Sequence, residues 1–277
     1  EHRGRVTIID LASGKALPSP AAMREFISAI AFSPDGRWIA SAGGTEFKRP
    51  DNDNKSVGQL KLFDLATSKD GNDLAGHTNN LTAVCFSPDS RTLATASADH
   101  TARLWNIGTK QSRAVLEGHA GAVLAMAFSP DGKLIATAGA DRIVKLWDAG
   151  TANELATLKG HGGDVRAVAF SPDGKTLATA SADKTVRLWD VATRESRATL
   201  TGHSASVLCL AYSPDGKTLA TGSGDETVKL WDTTSARERA TLRSHQSSVV
   251  AVVFSPDGRK LASSGMNDAI RLWEIGR

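Results

Sequence analysis

The chain has 277 residues, of which 40% are apolar, and its 33 basic and 30 acidic residues give a formal net charge of +3. A charge this small, with the signs interleaved, argues against a nucleic-acid surface. No run of about 18 apolar residues and no apolar N-terminal stretch is present, so the sequence predicts neither a membrane span nor a secretion signal. We therefore expect a cytoplasmic protein.

The first predicted element is the segment RVTIIDLASGKALPS, residues 5–19. It aligns without gaps on TVRLWDVATRESRAT, residues 185–199. Because the later segment contains two strand-like runs, we predict that residues 5–19 form two strands of a half repeat. The chain begins with Glu1 rather than Met, which leaves open a fragment of a larger protein with a covalently fused effector domain.

A unit then recurs six times, each copy marked by an aromatic residue before Ser-Pro-Asp. Before the turn at 171–174, Val168 and Phe170 alternate with Ala167 and Ala169, which predicts a strand. SPDG at 171–174 predicts a type I turn, KTLATAS a second strand, TVRLWDV a third and SRATL a fourth. The marker residues are Phe32, Phe86, Phe128, Phe170, Tyr212 and Phe254, separated by 54 residues and then by 42 four times.

A period of this length, with Gly-His near its start and Trp-Asp near its end, resembles the WD40 repeat. The resemblance covers nearly the whole chain. It implies one all-β domain over residues 1–277, a β-propeller whose blades are four-stranded antiparallel sheets. Six complete inner hairpins are expected, together with the N-terminal half repeat.

The number of predicted strands leaves the number of blades open. The half repeat has two strands, five units have four each and the last unit has three, which makes 25. Six blades need about 24 strands and seven need about 28. We favour a seven-bladed parent, and a six-bladed ring sealed by the N-terminal segment is the alternative.

The first unit carries an insertion, GTEFKRPDNDNKSVGQ at residues 44–59, between its second and third strands. Phe47, Lys48 and Arg49 are the aromatic and basic types that dominate binding hot spots, so we predict a partner site there. Residues 51–54, DNDN, offer oxygen ligands for calcium, but the Gly and Glu of a calcium loop are missing. The sequence therefore predicts no metal site.

Four polar or aromatic residues recur at fixed places in the units. In WD40 proteins the matching His, Ser or Thr, Asp and Trp form a buried hydrogen-bond network, and the resemblance implies that role here. The last unit has His245, Asn267 and Trp273 with Gly265 in the Ser position, the third has Gly139 there, and the first has Met23 and Phe63, so all three are expected to be held mainly by packing. The predicted network comprises His77, Ser97, Asp99, Trp105, His119, Asp141, Trp147, His161, Ser181, Asp183, Trp189, His203, Ser223, Asp225 and Trp231, with Gly139 in the Ser position of the third unit.

His, Ser and Asp are also the side chains of a hydrolase triad. Catalysis needs one such set, whereas this chain repeats it with a Trp at a fixed distance. We therefore predict no catalytic residue, no enzyme activity and no cofactor. A Lys or Arg stands two residues before each Trp, and its charged end is expected to reach water.

The turns that join one unit to the next are expected on one face of the propeller, where WD40 proteins most often bind partners. They are mostly small residues, with Asp164 and Arg166 as exceptions. The sequence predicts an interaction scaffold or sensor platform for other proteins or peptides. An enzyme, or a phosphopeptide or nucleic-acid binder with a site at the channel mouth, is the alternative. A phosphate-binding site would need converging Arg or Lys side chains that these turns nearly lack.

Overall fold

The computed structural model describes residues 5–10, 13–20, 26–44, 58–71 and 74–276. These residues form 25 β-strands and no helix, which confirms the predicted all-β class. None of them forms a helix long and apolar enough to cross a membrane. The chain divides into two compact halves, residues 1–126 and 127–277, which are described in turn.

The first half, residues 1–126, contains a two-stranded sheet and two four-stranded sheets. Strands β1 and β2 pair with each other, β3 to β6 form the second sheet and β7 to β10 the third, each in chain order. The strands are β1 (Ile8–Ile9), β2 (Ala16–Leu17), β3 (Phe26–Phe32), β4 (Trp38–Gly44), β5 (Gly58–Asp64), β6 (Lys69–Asp70), β7 (Leu81–Phe86), β8 (Thr92–Ser97), β9 (Ala102–Asn106) and β10 (Gln111–Leu116).

The remaining strands run from β11 to β25, and β11 begins just before the second half, residues 127–277. They form four-stranded sheets β11 to β14, β15 to β18 and β19 to β22, and β23 to β25 form a three-stranded sheet within the described part of the chain. The strands are β11 (Val123–Phe128), β12 (Leu134–Gly139), β13 (Val144–Asp148), β14 (Glu154–Leu158), β15 (Val165–Phe170), β16 (Thr176–Ser181), β17 (Val186–Asp190), β18 (Ser196–Leu200), β19 (Val207–Tyr212), β20 (Thr218–Ser223), β21 (Thr227–Asp232), β22 (Glu238–Arg243), β23 (Val249–Phe254), β24 (Lys260–Gly265) and β25 (Ile270–Glu274).

The Ser-Pro-Asp-Gly segments are the turns between the first and second strands of a blade, as predicted. In the turn after β15, the N–H of Gly174 donates to the carbonyl of Ser171 at 2.8 Å. Gly174 has φ +71°, which a glycine adopts without steric cost. The Ser171 hydroxyl donates to Asp173 at 2.6 Å and accepts from the N–H of Thr176 at 2.9 Å, so side chains fix the turn from inside.

Small residues on the second strands let the next sheet approach closely. Ala178 and Ala180 of β16 are fully buried and belong to one cluster with Val207 of β19 and Leu219 of β20. In the first half of the chain, Phe86 of β7 likewise packs in one cluster with small residues of β4. Along the inner strand β15, Val168 and Phe170 are buried and Ala167 and Ala169 are partly buried, which agrees with the predicted large and small faces.

The N-terminal half repeat forms the two predicted strands, with Ile8 opposite Leu17. Ile8 is 7% exposed and packs in one cluster with Ile39 and Phe63, whereas Ile9 points away and is 55% exposed. The hairpin thus packs on the first complete sheet through the buried Ile8, with the partly buried Val6 beside it.

The insertion lies between β4 and β5 as predicted, but Gly44, Gly58 and Gln59 of the predicted range 44–59 are paired strand residues. Residues 45–57 lie outside the described residues, and with them the predicted partner-site residues Phe47, Lys48 and Arg49 and the DNDN stretch. Met23 of the first unit lies outside them as well.

Candidate functional site

The recurring residues of the sheet β15 to β18 form one buried chain of hydrogen bonds. Trp189 Nε1 donates to Thr179 Oγ1 at 2.9 Å. The same hydroxyl lies 2.8 Å from His161 Nε2, and His161 Nδ1 lies 2.8 Å from Asp183 Oδ2. Asp183 also accepts from the N–H of Gly162 at 2.8 Å, so the chain ties the strands to the turn that enters the blade.

Two further sheets repeat this arrangement with nearly identical distances. In the sheet β7 to β10 the corresponding contacts are 2.8, 2.9 and 2.8 Å. In the sheet β19 to β22 all three are 2.8 Å. The residues are Trp105, Thr95, His77 and Asp99 in the first of these and Trp231, Thr221, His203 and Asp225 in the second.

The bridging hydroxyl belongs to a residue that the sequence analysis missed. We predicted Ser181 and its equivalents Ser97 and Ser223 in the network, but the hydroxyl between His and Trp is that of Thr179. Ser181 Oγ instead donates to the carbonyl of Gly163 at 3.0 Å and accepts from the N–H of Asp183 at 3.1 Å. The signal was present, because Thr recurs at 95, 137, 179 and 221, two residues before the Ser position.

The last unit has a complete network, so the prediction that it is held mainly by packing, without the full network, is wrong. His245 Nδ1 contacts Asp268, not Asn267, at 2.8 Å. Ser263 supplies the hydroxyl, 2.7 Å from His245 Nε2 and 2.8 Å from Trp273 Nε1. The turn differs in one respect: its positive-φ residue, Asn267 at φ +58°, precedes the carboxylate, whereas in the other units it follows the Asp, as Lys184 does after Asp183.

Two units depart from the full arrangement. In the third unit Trp147 Nε1 donates to Thr137 Oγ1 at 2.8 Å, and His119 is buried. In the first unit Phe63 has no polar atom and is buried against Ile8 and Ile39. Packing therefore replaces the Trp hydrogen bond in that sheet, as the sequence predicts.

The protonation states follow from burial and from the hydrogen bonds. Burial lowers the pKa of His161 and His203, although their partners Asp183 and Asp225 oppose the shift. Burial would raise the pKa of Asp183, but hydrogen bonds from Thr185, the Gly162 N–H and His161 outweigh it and lower that pKa to about 2. A neutral His donates its Nδ1–H to the carboxylate, and its Nε2 then accepts from the Thr hydroxyl. Every polar group of the network therefore has a hydrogen-bond partner.

A carboxylate, an imidazole and a hydroxyl in line could activate a nucleophile. Here Thr179, Thr95 and Thr221 are fully buried, and each hydroxyl oxygen already accepts from a Trp. A substrate has no path to the hydroxyl without removal of that Trp. The arrangement therefore stabilises the blade and is closed to chemistry at the hydroxyl.

The sequence profile of the WD40 repeat, described as "WD domain, G-beta repeat", matches six segments that together make up most of the chain. The chain belongs to the WD40 family. The matched residues are 21–46, 65–106, 110–148, 152–190, 194–232 and 236–274, which include the six inner hairpins predicted and found.

Several curated proteins resemble parts of this WD40 protein. Small ribosomal subunit protein RACK1 of Glycine max is 34% identical over 107 residues, 37% of this chain and 33% of the relative. Target of rapamycin complex subunit wat1 of Schizosaccharomyces pombe is 32% identical over 80 residues, 29% of this chain and 22% of the relative. WD repeat-containing protein 1 of Xenopus tropicalis is 36% identical over 84 residues, 29% of this chain and 12% of the relative. The chain thus spans a third or less of the length of these relatives.

Two of the basic residues that precede a Trp in the WD40 repeats, both Lys, are held inside the sheets. Lys145 is buried, with Nζ 2.7 Å from Glu154, and Lys229 is buried, with Nζ 2.8 Å from Glu238. The expectation that these charges reach water is wrong for both, because an acidic residue on the fourth strand neutralises each. The guanidinium of Arg187 lies 5.9 Å from the ring centre of Trp189. These three side chains are therefore not free to line a groove that binds the phosphates of a nucleic acid.

The structure brings together the two predicted partner-site residues that it describes. Arg166 donates to Asp164 at 2.8 Å, and both side chains are partly exposed. The Asp164 carbonyl accepts from the N–H of Ala182 at 2.8 Å, which fixes the turn that enters the sheet against the turn between β16 and β17. Among the described residues, no group of three or more His, Cys, Asp or Glu side chains is placed to hold a metal ion.

Proposed function

We propose that this WD40 chain is a non-catalytic scaffold that binds other proteins or peptides through the turns entering each blade and through the loop at residues 44–59. The proposal rests mainly on one observation: the recurring reactive side chains hydrogen-bond one another in closed, buried chains. What they hold rigid are the turns themselves, since Asp183 binds the N–H of Gly162 in the turn that enters its blade.

Two further points support a scaffold. Relatives are named as a ribosomal subunit protein and as a subunit of a target of rapamycin complex, so chains with similar repeats occur in assemblies. The Arg166 and Asp164 pair is an exposed polar contact on a fixed turn, and binding residues are often displayed on loops of a rigid framework. The cytoplasmic location and the single domain over residues 1–277 stay predictions.

Affinity capture tests the proposal with matched variants. The intact chain, a variant lacking residues 45–57 and the variant Arg166→Glu are compared, each after thermal melting shows it folded. Lys133→Glu is the control, because Lys133 is 81% exposed on a turn at the other end of its hairpin.

We expect a set of proteins bound by the intact chain and the control and lost from one or both of the other variants. Capture of no protein above empty resin would contradict the scaffold itself. Profiles unchanged by the deletion and by Arg166→Glu would contradict the assignment to these turns and this loop.

A further inference from the structure

The fourth strands of the sheets differ in the residue that stands opposite the Trp. In the sheets β11 to β14 and β19 to β22 that residue is Glu154 or Glu238. In the sheets β7 to β10 and β15 to β18 it is Ser112 or Ser196. The exchange follows the basic residue two positions before the Trp, which is Lys in the two sheets with Glu and Arg in the two sheets with Ser. The register therefore places each Ser where the other sheets carry an acid.

The sheets with Glu show what an anion does at this position. Lys145 Nζ lies 2.7 Å from Glu154 Oε2. The Thr157 hydroxyl donates to Glu154 Oε1 at 2.5 Å and accepts from Lys145 Nζ at 3.2 Å. The same contacts recur in the sheet β19 to β22 among Lys229, Glu238 and Thr241. An anion on this residue of the fourth strand thus binds the cation of the third strand and a hydroxyl at once.

The sheet β15 to β18 keeps the cation but has Ser in place of the acid. Arg187 Nε is buried and has no hydrogen-bond partner among the described residues. The guanidinium lies against the turn that enters the blade, since its Nη1 is 2.9 Å from where a Cβ on Gly160 would be. Glu238 Oε2 is 3.3 Å from the equivalent point on Gly202. A side chain of Glu length in place of Ser196 would therefore end beside the guanidinium.

Ser196 is placed where an enzyme can modify it. It is the first residue of β18, and residues 192–197 around it are all exposed. Arg194 stands two positions before it and Arg197 directly after it. A phosphate on a serine carries a charge of about −1.5 to −2 and three acceptor oxygens, at about the distance of a Glu carboxylate. The fork of a guanidinium matches phosphate oxygens better than an ammonium does, which explains why Arg rather than Lys accompanies the Ser.

We propose that Ser196 is a phosphorylation site and that its phosphate binds Arg187 and the hydroxyl of Thr199, the residue paired with Arg187 across the strands. A protein serine kinase supplies the group from ATP. Ser196 Oγ forms a bond to the γ-phosphorus, the bond from that phosphorus to the β–γ bridging oxygen breaks, ADP leaves, and the hydroxyl proton passes to a base of the kinase. Ser112 is a weaker second site, because Val115 takes the place of the Thr there.

The proposal goes beyond the scaffold role, because the modified residue lies on a fourth strand and not in the loop at 44–59 or in a turn that enters a blade. It also agrees with the contacts that keep Arg187 from lining a nucleic-acid groove. The guanidinium lies within its own blade, over Trp189 and against Gly160, where a phosphate on the adjacent strand reaches it.

Thermal melting of the full chain with phosphoserine incorporated at position 196 tests the phosphate contact. We expect Tm to rise by roughly 1–4 °C over the unmodified chain. Most of that rise should be lost in the Arg187→Gln background, and a smaller part in the Thr199→Val background. Phosphoserine at position 112 should give a smaller rise. The double variant Ser196→Glu with Arg187→Lys copies the sheets that carry Lys and Glu, and it should melt no lower than the unmodified chain.

A kinase assay tests whether the folded chain is a substrate. A serine kinase chosen because it modifies the free peptide of residues 190–201 is applied with ATP to the full chain and to Ser196→Ala, and mass spectrometry locates the phosphate. We expect phosphate at Ser196 of the full chain and none on that segment of the variant. Absence of phosphate at Ser196 in the folded chain overturns the proposal.

Two results of the melting experiment would also overturn it. If phosphoserine at 196 lowers Tm, or raises it equally with Arg187→Gln, the Ser only leaves room for the longer guanidinium. If the double variant with Glu and Lys melts higher than the unmodified chain but the phosphoserine chain does not, the position takes a carboxylate and not a phosphate.

Discussion

The Thr179 hydroxyl is the hub of its network, so its removal tests the structural role of the recurring residues. Thr179→Val keeps the shape of the side chain but leaves Trp189 Nε1 and His161 Nε2 without their shared partner. An unsatisfied buried polar group costs about 1–3 kcal/mol, so two of them predict a loss of roughly 2–6 kcal/mol in the free energy of unfolding. Thr179→Ser keeps the hydroxyl and should cost about 1 kcal/mol for the lost methyl group.

Urea unfolding followed by far-UV circular dichroism measures these differences, and the last unit supports the control because Ser263 naturally fills this position. Ser181→Ala should cost less than Thr179→Val, since Ser181 contacts only main-chain groups. Trp189→Phe in the Thr179→Val background removes one orphaned donor, so the double variant should be less destabilised than the sum of the single changes. The reasoning is refuted if Thr179→Val is no worse than Thr179→Ser, or if the two substitutions are additive.

Three further outcomes follow from the same structure. The thermal midpoint should fall as pH decreases. Because the pKa of His161 is lowered in the folded state, stability is lost below about pH 6.5, and because the pKa of Asp183 is lowered to about 2, more is lost below about pH 4. A midpoint that rises over this interval would contradict these shifts, and Asp183→Asn should reduce the loss below about pH 4. Gly160→Ala should lower the free energy of unfolding by about 1–3 kcal/mol, because Gly160 has φ +148° and a Cβ would stand 2.9 Å from the Arg187 guanidinium; Gly162→Ala, whose Cβ meets its nearest atom at 3.7 Å, is the matched control and should change little. Ile8→Ala should lower the free energy of unfolding in urea by about 2–4 kcal/mol, and deletion of residues 1–20 should lower the melting temperature. Ile9→Ala should leave the melting temperature unchanged, because Ile9 is exposed. Unchanged melting of both Ile8→Ala and the deletion variant would show that the N-terminal hairpin adds no stability.

The blades themselves could be predicted from the sequence because their causes are local. A Ser-Pro-Asp-Gly turn closes a hairpin through contacts within a few residues, as the bonds of Ser171 to Asp173 and Gly174 show. Alternation of large and small residues then decides which face of each strand is buried, and the period of 42 residues repeats both signals. The family and the six inner hairpins follow from these signals alone.

The identity of the network members depended on tertiary structure. Thr179 and Ser181 are two residues apart on β16 and therefore lie on the same face, so the sequence offers two equivalent hydroxyls. The choice is made by the neighbouring strand and the entering turn, which bring Trp189 and His161 together at Thr179 and place the carbonyl of Gly163 at Ser181. Likewise Asp268 takes the place of Asn267 because the positive-φ residue of that turn precedes the carboxylate, whereas Lys184 follows Asp183. Repetition in the sequence determines the blade, whereas the three-dimensional meeting of distant strands decides which polar groups bond to each other.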